Sequence, residues 1–372
     1  MVGLLLLLSC APKLAAPVAG PGAASVPAPA WRLRPGDVLP VLGADARVDH
    51  GLVAAAQALT AAATTPDARL TPAGIAAALE VGGYPGPARF VRVVAGPELP
   101  QALLDAVPRG EAVDVGWAWR DHADGRRWWV LGWCPRRVEL DPVPGEVQPG
   151  GGVGVRVDGA ERPRLFVVTP GGKWSEYKLL ARSTRWVGEL NEKGRYHFEV
   201  VDGDRVELLF TVRVATPPAP PAPLPTLRTL ENPYTAVDRL YARVDELRRA
   251  NGLGPLQRFV PFEPLAREHA ACLAAEGAAA HAAAGCAPLP DLATQRYYPR
   301  GHYYENVALA DTADEAWDTL VHSPGHLANL LRPDTTHLTI AAAFEPVADP
   351  RLMVVWEAMA FPAGEPRRIG DR

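Results

Sequence analysis

Two proline-rich tracts decide how this chain can fold. Residues 11–30 read APKLAAPVAGPGAASVPAPA, and residues 216–225 read TPPAPPAPLP. Proline fixes φ and lacks an amide proton, so neither tract can continue a helix or enter the middle of a sheet. Each tract interrupts any core and leaves independent blocks on either side. The first is read as a tether. The second, taken over residues 216–228, is read as a semi-rigid polyproline II spacer. A chain of 372 residues cut at these places gives two stretches, and a change of pattern near residue 135 divides the first, so the folded blocks are 31–135, 136–215 and 229–372, with residues 1–10 in front.

The leading residues, MVGLLLLLSC, form an apolar run that ends on Ser9 and Cys10. They resemble the signal of bacterial lipoproteins, in which the cysteine is acylated and becomes the mature N-terminus. The run lacks the basic residues of an ordinary signal, and it is too short to span a bilayer, which takes ~20 apolar residues. The resemblance implies export and lipidation of Cys10, with the membrane as partner and the cell envelope as location. That envelope would be the outer membrane if the host has one. A net charge of −4 argues against a nucleic-acid partner, because neutralising phosphates needs a basic face. In an oxidising compartment Cys272 and Cys286 are expected to bridge. On the chain-entropy model this contributes ~3 kcal/mol. Cys134 is then left as a buried, small apolar residue. Sequence alone leaves the other pairings open.

Residues 31–135 read as a small α+β unit. Leu52, Ala55, Ala56 and Leu59 recur at helical spacing, and a second helix runs from Pro72 to Glu80 behind Thr71. Strands follow at 89–95, 113–119 and 127–133, the last two joined across Asp124-Gly125, a strong hairpin signal. Residues 136–215 are strand after strand, with turns at Gly171-Gly172, Lys193-Gly194 and Asp202-Gly203. Their spacing resembles immunoglobulin-like β-sandwiches, without a Cys–Trp–Cys signature. Such a module is expected to act as a spacer or to bind an envelope protein. Neither block carries a titratable cluster that reads as a site.

In the C-terminal block Val237, Leu240, Tyr241, Val244 and Leu247 define an amphipathic helix closed by Asn251-Gly252. A second helix is expected from Glu263 to Ala280, ending beside His281. Residues 303–309, YYENVAL, read as a loop, then a helix ends near Val321. HLTIAAAFE and RLMVVWEAMAF read as strands. Four stretches carry a likeness: LYARVDELRRANGLGPL, FEPLAREHAACLAAEGAAAH, YENVA and SPGHLANLL. In this order they resemble the CAP superfamily (SCP/PR-1-like; cysteine-rich secretory protein, antigen 5, pathogenesis-related 1), over roughly residues 234–362. The likeness implies an α-β-α sandwich with a cleft lined by two histidines and one or two glutamates. The helix-rich start and hairpin end of residues 31–135 echo the same fold, so that block is expected to be a decayed copy.

Carried over by motif, His281 is the first histidine of the cleft, Glu305 the glutamate and His326 the second histidine. The second family glutamate has no counterpart, since Leu320 stands three positions after Trp317. Tyr304, Leu327 and Thr339 are further departures. Neutral imidazole is a good ligand for Zn2+ or another divalent metal, and a carboxylate beside it can ligate, orient or act as general base. HSPGH looks like a two-histidine metal box, but Ser323 reads as an N-cap and Pro324 as N1. They divide His322 from His326 and place His326 at N3, where the helix dipole disfavours the charged ring. His269, His302, His322 and His337 are read as structural histidines. Asn306 and Ser323 are read as support, and Tyr303 and Tyr304 as packing. The leading function is an exported binding module whose cleft takes a divalent metal or a small, lipid-like ligand. The alternatives are a metal-assisted, peptidase-like hydrolase in which Glu305 and His326 are catalytic, and an adhesion or scaffold protein.

Overall fold

The structure is a computed structural model of the full chain. It describes residue 42 and residues 45–361, apart from 66–67, 96–99, 124, 180–184, 204, 219–220, 227–230, 278, 282, 284, 297–300 and 348–349. Cys10 and the tether at 11–30 lie outside the described residues, as does Asp124. The chain divides into two compact units, one taking in nearly all of it up to Leu224 and the other running from Pro225. Among the described residues no helix is long and apolar enough to cross a membrane.

The first unit opens with an α+β layer. Helices α1 (His50–Ala62), α2 (Pro72–Gly82) and α3 (Gln101–Leu104) accompany strands β1 (Ala46–Val48), β2 (Arg89–Ala95), β3 (Val113–Asp121) and β4 (Arg127–Pro135). The sheet order is β1-β3-β4-β2, with β1 parallel to β3 and the other pairs antiparallel. Asp49 caps α1 by accepting from the amides of Gly51 and Leu52. The buried side of α1, including Leu52, Ala55, Ala56 and Leu59, is mostly small because the helix lies close to the sheet. A Cβ on Gly116 would stand 2.4 Å from the Leu52 carbonyl carbon and the Val53 nitrogen. On the same sheet face, a Cβ on Gly132 would stand 2.4 Å from the Phe90 ring. Phe90 is the β2 residue opposite Gly132.

The proline tract does not stand clear as a free spacer. Leu224 is buried in the apolar cluster of Ala55, Leu59 and Ala62 and donates its amide to the Ala62 carbonyl at 3.0 Å. One leucine in a polyproline stretch is enough to dock it, because the exposed end of an alanine-rich helix offers both an apolar patch and an unused carbonyl.

The rest of this unit is β structure: β5 (Glu139–Leu140), β6 (Glu146–Val147), β7 (Gly151–Asp158), β8 (Pro163–Val168), β9 (Trp174–Lys178), β10 (Arg185–Leu190), β11 (Gly194–Asp202) and β12 (Arg205–Val214). They form two sheets, β10-β7-β5 and β6-β12-β11-β8-β9. Gly172 and Gly203 hold the φ values of 77° and 65° that their tight turns require.

The second unit contains α4 (Pro233–Ala250), β13 (Gln257–Arg258), α5 (Glu263–Glu276), α6 (Leu289–Arg296), β14 (His302–Ala310), α7 (Ala313–Val321), α8 (Pro324–Leu330), β15 (His337–Phe344) and β16 (Leu352–Ala360). Its sheet runs β13-β15-β16-β14, with β13 parallel to β15. This repeats the strand order of the first unit. Strand alternation sends Leu338, Ile340, Val354 and Trp356 into a core with α4 and α7. It sends Ala341, Met353, Val355 and Met359 into a second core with α5 and α6. The unit is thus a helix–sheet–helix sandwich. Buried Arg248, at the end of α4, donates to the carbonyls of Gly254, Leu330 and Arg332 and ties the loop after that helix and the end of α8 to it.

Two expectations fail here. Helix α5 stops at Glu276 instead of Ala280 because Gly277 turns left-handed at φ 63°, so His281 sits in the following loop. The YYENVAL segment is the edge strand β14 and not a loop, its whole length paired with β16. Val307 and Leu309 face the α5 core, and Ala308 and Ala310 the α4 core.

Candidate functional site

Three elements bring the polar residues of the second unit together. Strand β14 presents Glu305 on the sheet face covered by α5, where it is 5 % exposed. Helix α5 contributes His269, from the same stripe as Leu265, Ala266, Ala270 and Leu273. His269 Nε2 lies 2.8 Å from Glu305 Oε1, an ion-pair distance, with the ring turned off the line of a hydrogen bond. The loop after α5 supplies His281, whose Nδ1 donates to Glu305 Oε2 at 2.9 Å. A disulfide between Cys272 and Cys286 closes that loop onto the helix. One carboxylate is therefore held between two imidazoles, one buried and one 39 % exposed.

His326 approaches from α8. Asn306, the strand neighbour of Glu305, donates to the His326 carbonyl at 2.9 Å. Asn329 completes the clamp by donating to Asn306 Oδ1 and to the Glu305 carbonyl. The supporting role expected of Asn306 is thus to fix the helix that carries His326. Ser323 has the conformation of an N-cap, and Pro324 opens the helix as expected, but the Ser323 hydroxyl makes no capping bond. The His326 ring keeps some exposed edge, while its Nδ1 is shut off from solvent and has no hydrogen-bond partner. Burial pushes this histidine down to about 4, with the neighbouring His281 acting the same way and Glu305 opposing. Desolvation is the largest cause of its neutrality.

The carboxylate that sequence reasoning could not find lies on β16. Glu357 is directly opposite Glu305 in the β14–β16 register, so both side chains share a face. It is fully buried. Burial drives its carboxyl well above the ordinary range, and the charge of Glu305 pushes the same way. The Tyr304 amide works against the rise, although neither Glu357 oxygen has a partner at hydrogen-bonding geometry.

His269 and Glu357 were both missed. Each left a trace: a histidine inside an apolar helical stripe, and a glutamate in the otherwise apolar run LMVVWEAMAF. Of the other histidines, His322 is exposed and its Nδ1 lies 2.7 Å from the Asp318 carbonyl, away from the cluster. His337 packs edge-on against Phe259 and Phe361. Tyr303 stacks on Phe262, and Tyr304 lies under the Arg332 guanidinium and bonds Asp334, so both are packing residues.

Neutral imidazole and carboxylate are donor types that suit a borderline divalent cation, and the orphaned Nδ1 of His326 is a buried ring nitrogen of that kind. Glu305 is different, because its Oε2 is already bonded to His281, while its Oε1 lies 2.8 Å from His269 Nε2 without a hydrogen bond. Among the described residues no three His, Cys, Asp or Glu side chains form a group arranged to hold an ion.

No protein-family model matches the chain, and no curated protein does. Several solved structures do. An outer surface protein from Borrelia burgdorferi is 19 % identical, over 36 % of this chain and 98 % of its own, with a TM-score of 0.29. An extracellular protein containing an SCP domain from Bacillus anthracis is 15 % identical, over 58 % of this chain and 68 % of its own, with a TM-score of 0.28. A cysteine-rich secretory protein from Staphylococcus aureus is 11 % identical, over 59 % of this chain and 85 % of its own, with a TM-score of 0.27. At such values the function has to be read from the residues themselves.

Proposed function

We propose that this chain is an exported, CAP-like binding protein, anchored through Cys10, whose C-terminal cleft takes a divalent metal or a small ligand. One observation carries the reading. Buried polar atoms without hydrogen-bond partners, His326 Nδ1, His269 Nε2, Glu305 Oε1 and both oxygens of Glu357, gather about the Glu305–His281 contact. Such atoms are rare in folded proteins and cost about 1–3 kcal/mol each. Their concentration at one place favours a ligand that satisfies them. Zinc, when bound, would supply Lewis acidity; His281 and His326 are the residues that would hold it. Binding is favoured over hydrolysis because Glu305, the expected water-activating base, is buried and its Oε2 is taken up by His281. The β-sheet block at 136–215 fits an immunoglobulin-like spacer or a partner-binding module.

Zinc titration of the full chain tests the site. Saturable binding, lost in His281→Ala and in His326→Ala, is expected. No binding, or binding that ignores both changes, ends the metal reading. Labelling with a lipid precursor, compared with Cys10→Ser, tests the anchor.

A further inference from the structure

Of the three roles open to Glu305, ligand, orienting group or general base, its surroundings suit the second. Its two oxygens face two different rings: Oε1 meets His269 at 2.8 Å and Oε2 accepts from His281 at 2.9 Å. The carboxylate and the inner ring are almost completely buried, with side chains 2 % and 1 % exposed, while the outer ring reaches the surface. An ionised carboxylate only accepts hydrogen bonds, so the His281 contact requires a proton on Nδ1. That fixes both the orientation and the tautomer of His281, and turns Nε2 away from Glu305. The inner histidine cannot do the same work outward, since helix α5 holds it in the core beside Leu265 and Leu273.

We propose that Glu305 is a positioning residue that holds His281 in its Nδ1–H tautomer, and that His269 in turn holds Glu305. The chain of command runs from helix α5, through the edge strand β14, to the loop closed by the Cys272–Cys286 bridge. It deepens the binding function proposed above by naming the residue that fixes the ring form of His281, and it rests on that function for its purpose. A carboxylate behind a ligating histidine fixes the ring and raises its basicity, and loss of such a partner typically weakens metal affinity 10–100-fold without abolishing it.

Ring nitrogen spectra of the metal-free full chain test this directly. In the wild type the His281 signals should report a single Nδ1–H form. Glu305→Leu should release the ring into a mixture of tautomers, and Glu305→Gln, whose amide oxygen still accepts, should restore the Nδ1–H form. His269→Leu should loosen it in the same direction as Glu305→Leu. A wild-type His281 in the Nε2–H form overturns the proposal. So does a tautomer unchanged in both leucine variants. If Glu305→Leu does not fold, Glu305→Gln and His269→Leu carry the comparison. Zinc titrations add the second readout: Glu305→Leu should weaken binding 10–100-fold, where His281→Ala abolishes it. Abolition by Glu305→Gln as complete as by His281→Ala would make Glu305 a ligand and overturn the assignment. A wild type that binds no zinc but keeps the Nδ1–H tautomer would sink the metal reading and leave the positioning role standing.

Discussion

Acid should weaken the C-terminal unit through His326, and the size of the effect follows from its surroundings. The ring is neutral in the native protein because burial holds it down to about 4, against 6.5 for an ordinary histidine. The unfolded chain therefore takes up a proton that the folded chain refuses, at every pH between these values. Stability is unaffected above about pH 6.5, falls as the pH drops, and reaches its full loss below about pH 4. The full loss is at most about 3 kcal/mol, and the exposed edge of the ring brings the expected figure nearer 2. Carboxylates elsewhere titrate in the same range, so the informative quantity is a difference. Urea unfolding of the wild type and of His326→Gln, at pH 7.5 and pH 4.5, isolates the one ring. The variant keeps a polar side chain but has nothing to protonate, so its stability should fall less between the two pH values, by about 2 kcal/mol. Equal losses in the two proteins would show that His326 is not a neutral, desolvated ring, and the reasoning from burial would fail.

Three further changes have calculable outcomes. Glu357→Gln should be tolerated and should flatten the pH dependence in the opposite sense. The native carboxyl keeps its proton above the ordinary value of 4.5, so its contribution is full below that value and is lost as pH rises through the folded value. Urea midpoints at pH 5 and pH 8 that drop equally in variant and wild type would contradict this. Cys272→Ser with Cys286→Ser opens a loop of 14 residues, which should cost ~3 kcal/mol on the chain-entropy model and be reproduced by reductant in the wild type. Gly116→Ala should cost about 3 kcal/mol, because its Cβ would meet the α1 backbone. Gly254→Ala, with nothing within 4 Å, should stay within about 0.5 kcal/mol in the same thermal melt.

The elements were legible where a local pattern specifies them. The α4 stripe, the Asn251-Gly252 stop and the two C-terminal strands could be read from period and capping alone. Pro324 announced the helix that carries His326. What escaped is what depends on register and contact. YYENVAL has no apolar alternation to mark it as a strand, and only its pairing with β16 reveals it as one. That same pairing sets Glu305 beside Glu357, residues 52 positions apart by number, and no spacing rule relates them. His269 follows the helical period so well that it passed as core; the carboxylate 2.8 Å from its ring comes from another element. Leu224 was hidden for a different reason, since a proline tract reports backbone stiffness and not what a single apolar side chain in it will touch.

The repeated strand order has one more consequence. In both sheets the last strand spans nine residues, and the position three before its end faces the neighbouring helix. In the first unit that position is Gly132, with the Phe90 ring pressed across it; in the second it is Glu357, with Glu305 across it. One polypeptide thus carries its own control experiment. The sealed, greasy version shows that this architecture closes without any acid at that point. The polar version accepts a burden in stability, two crowded carboxyl groups far from water, that folding does not repay. The return has to come from what the second unit does when it is folded.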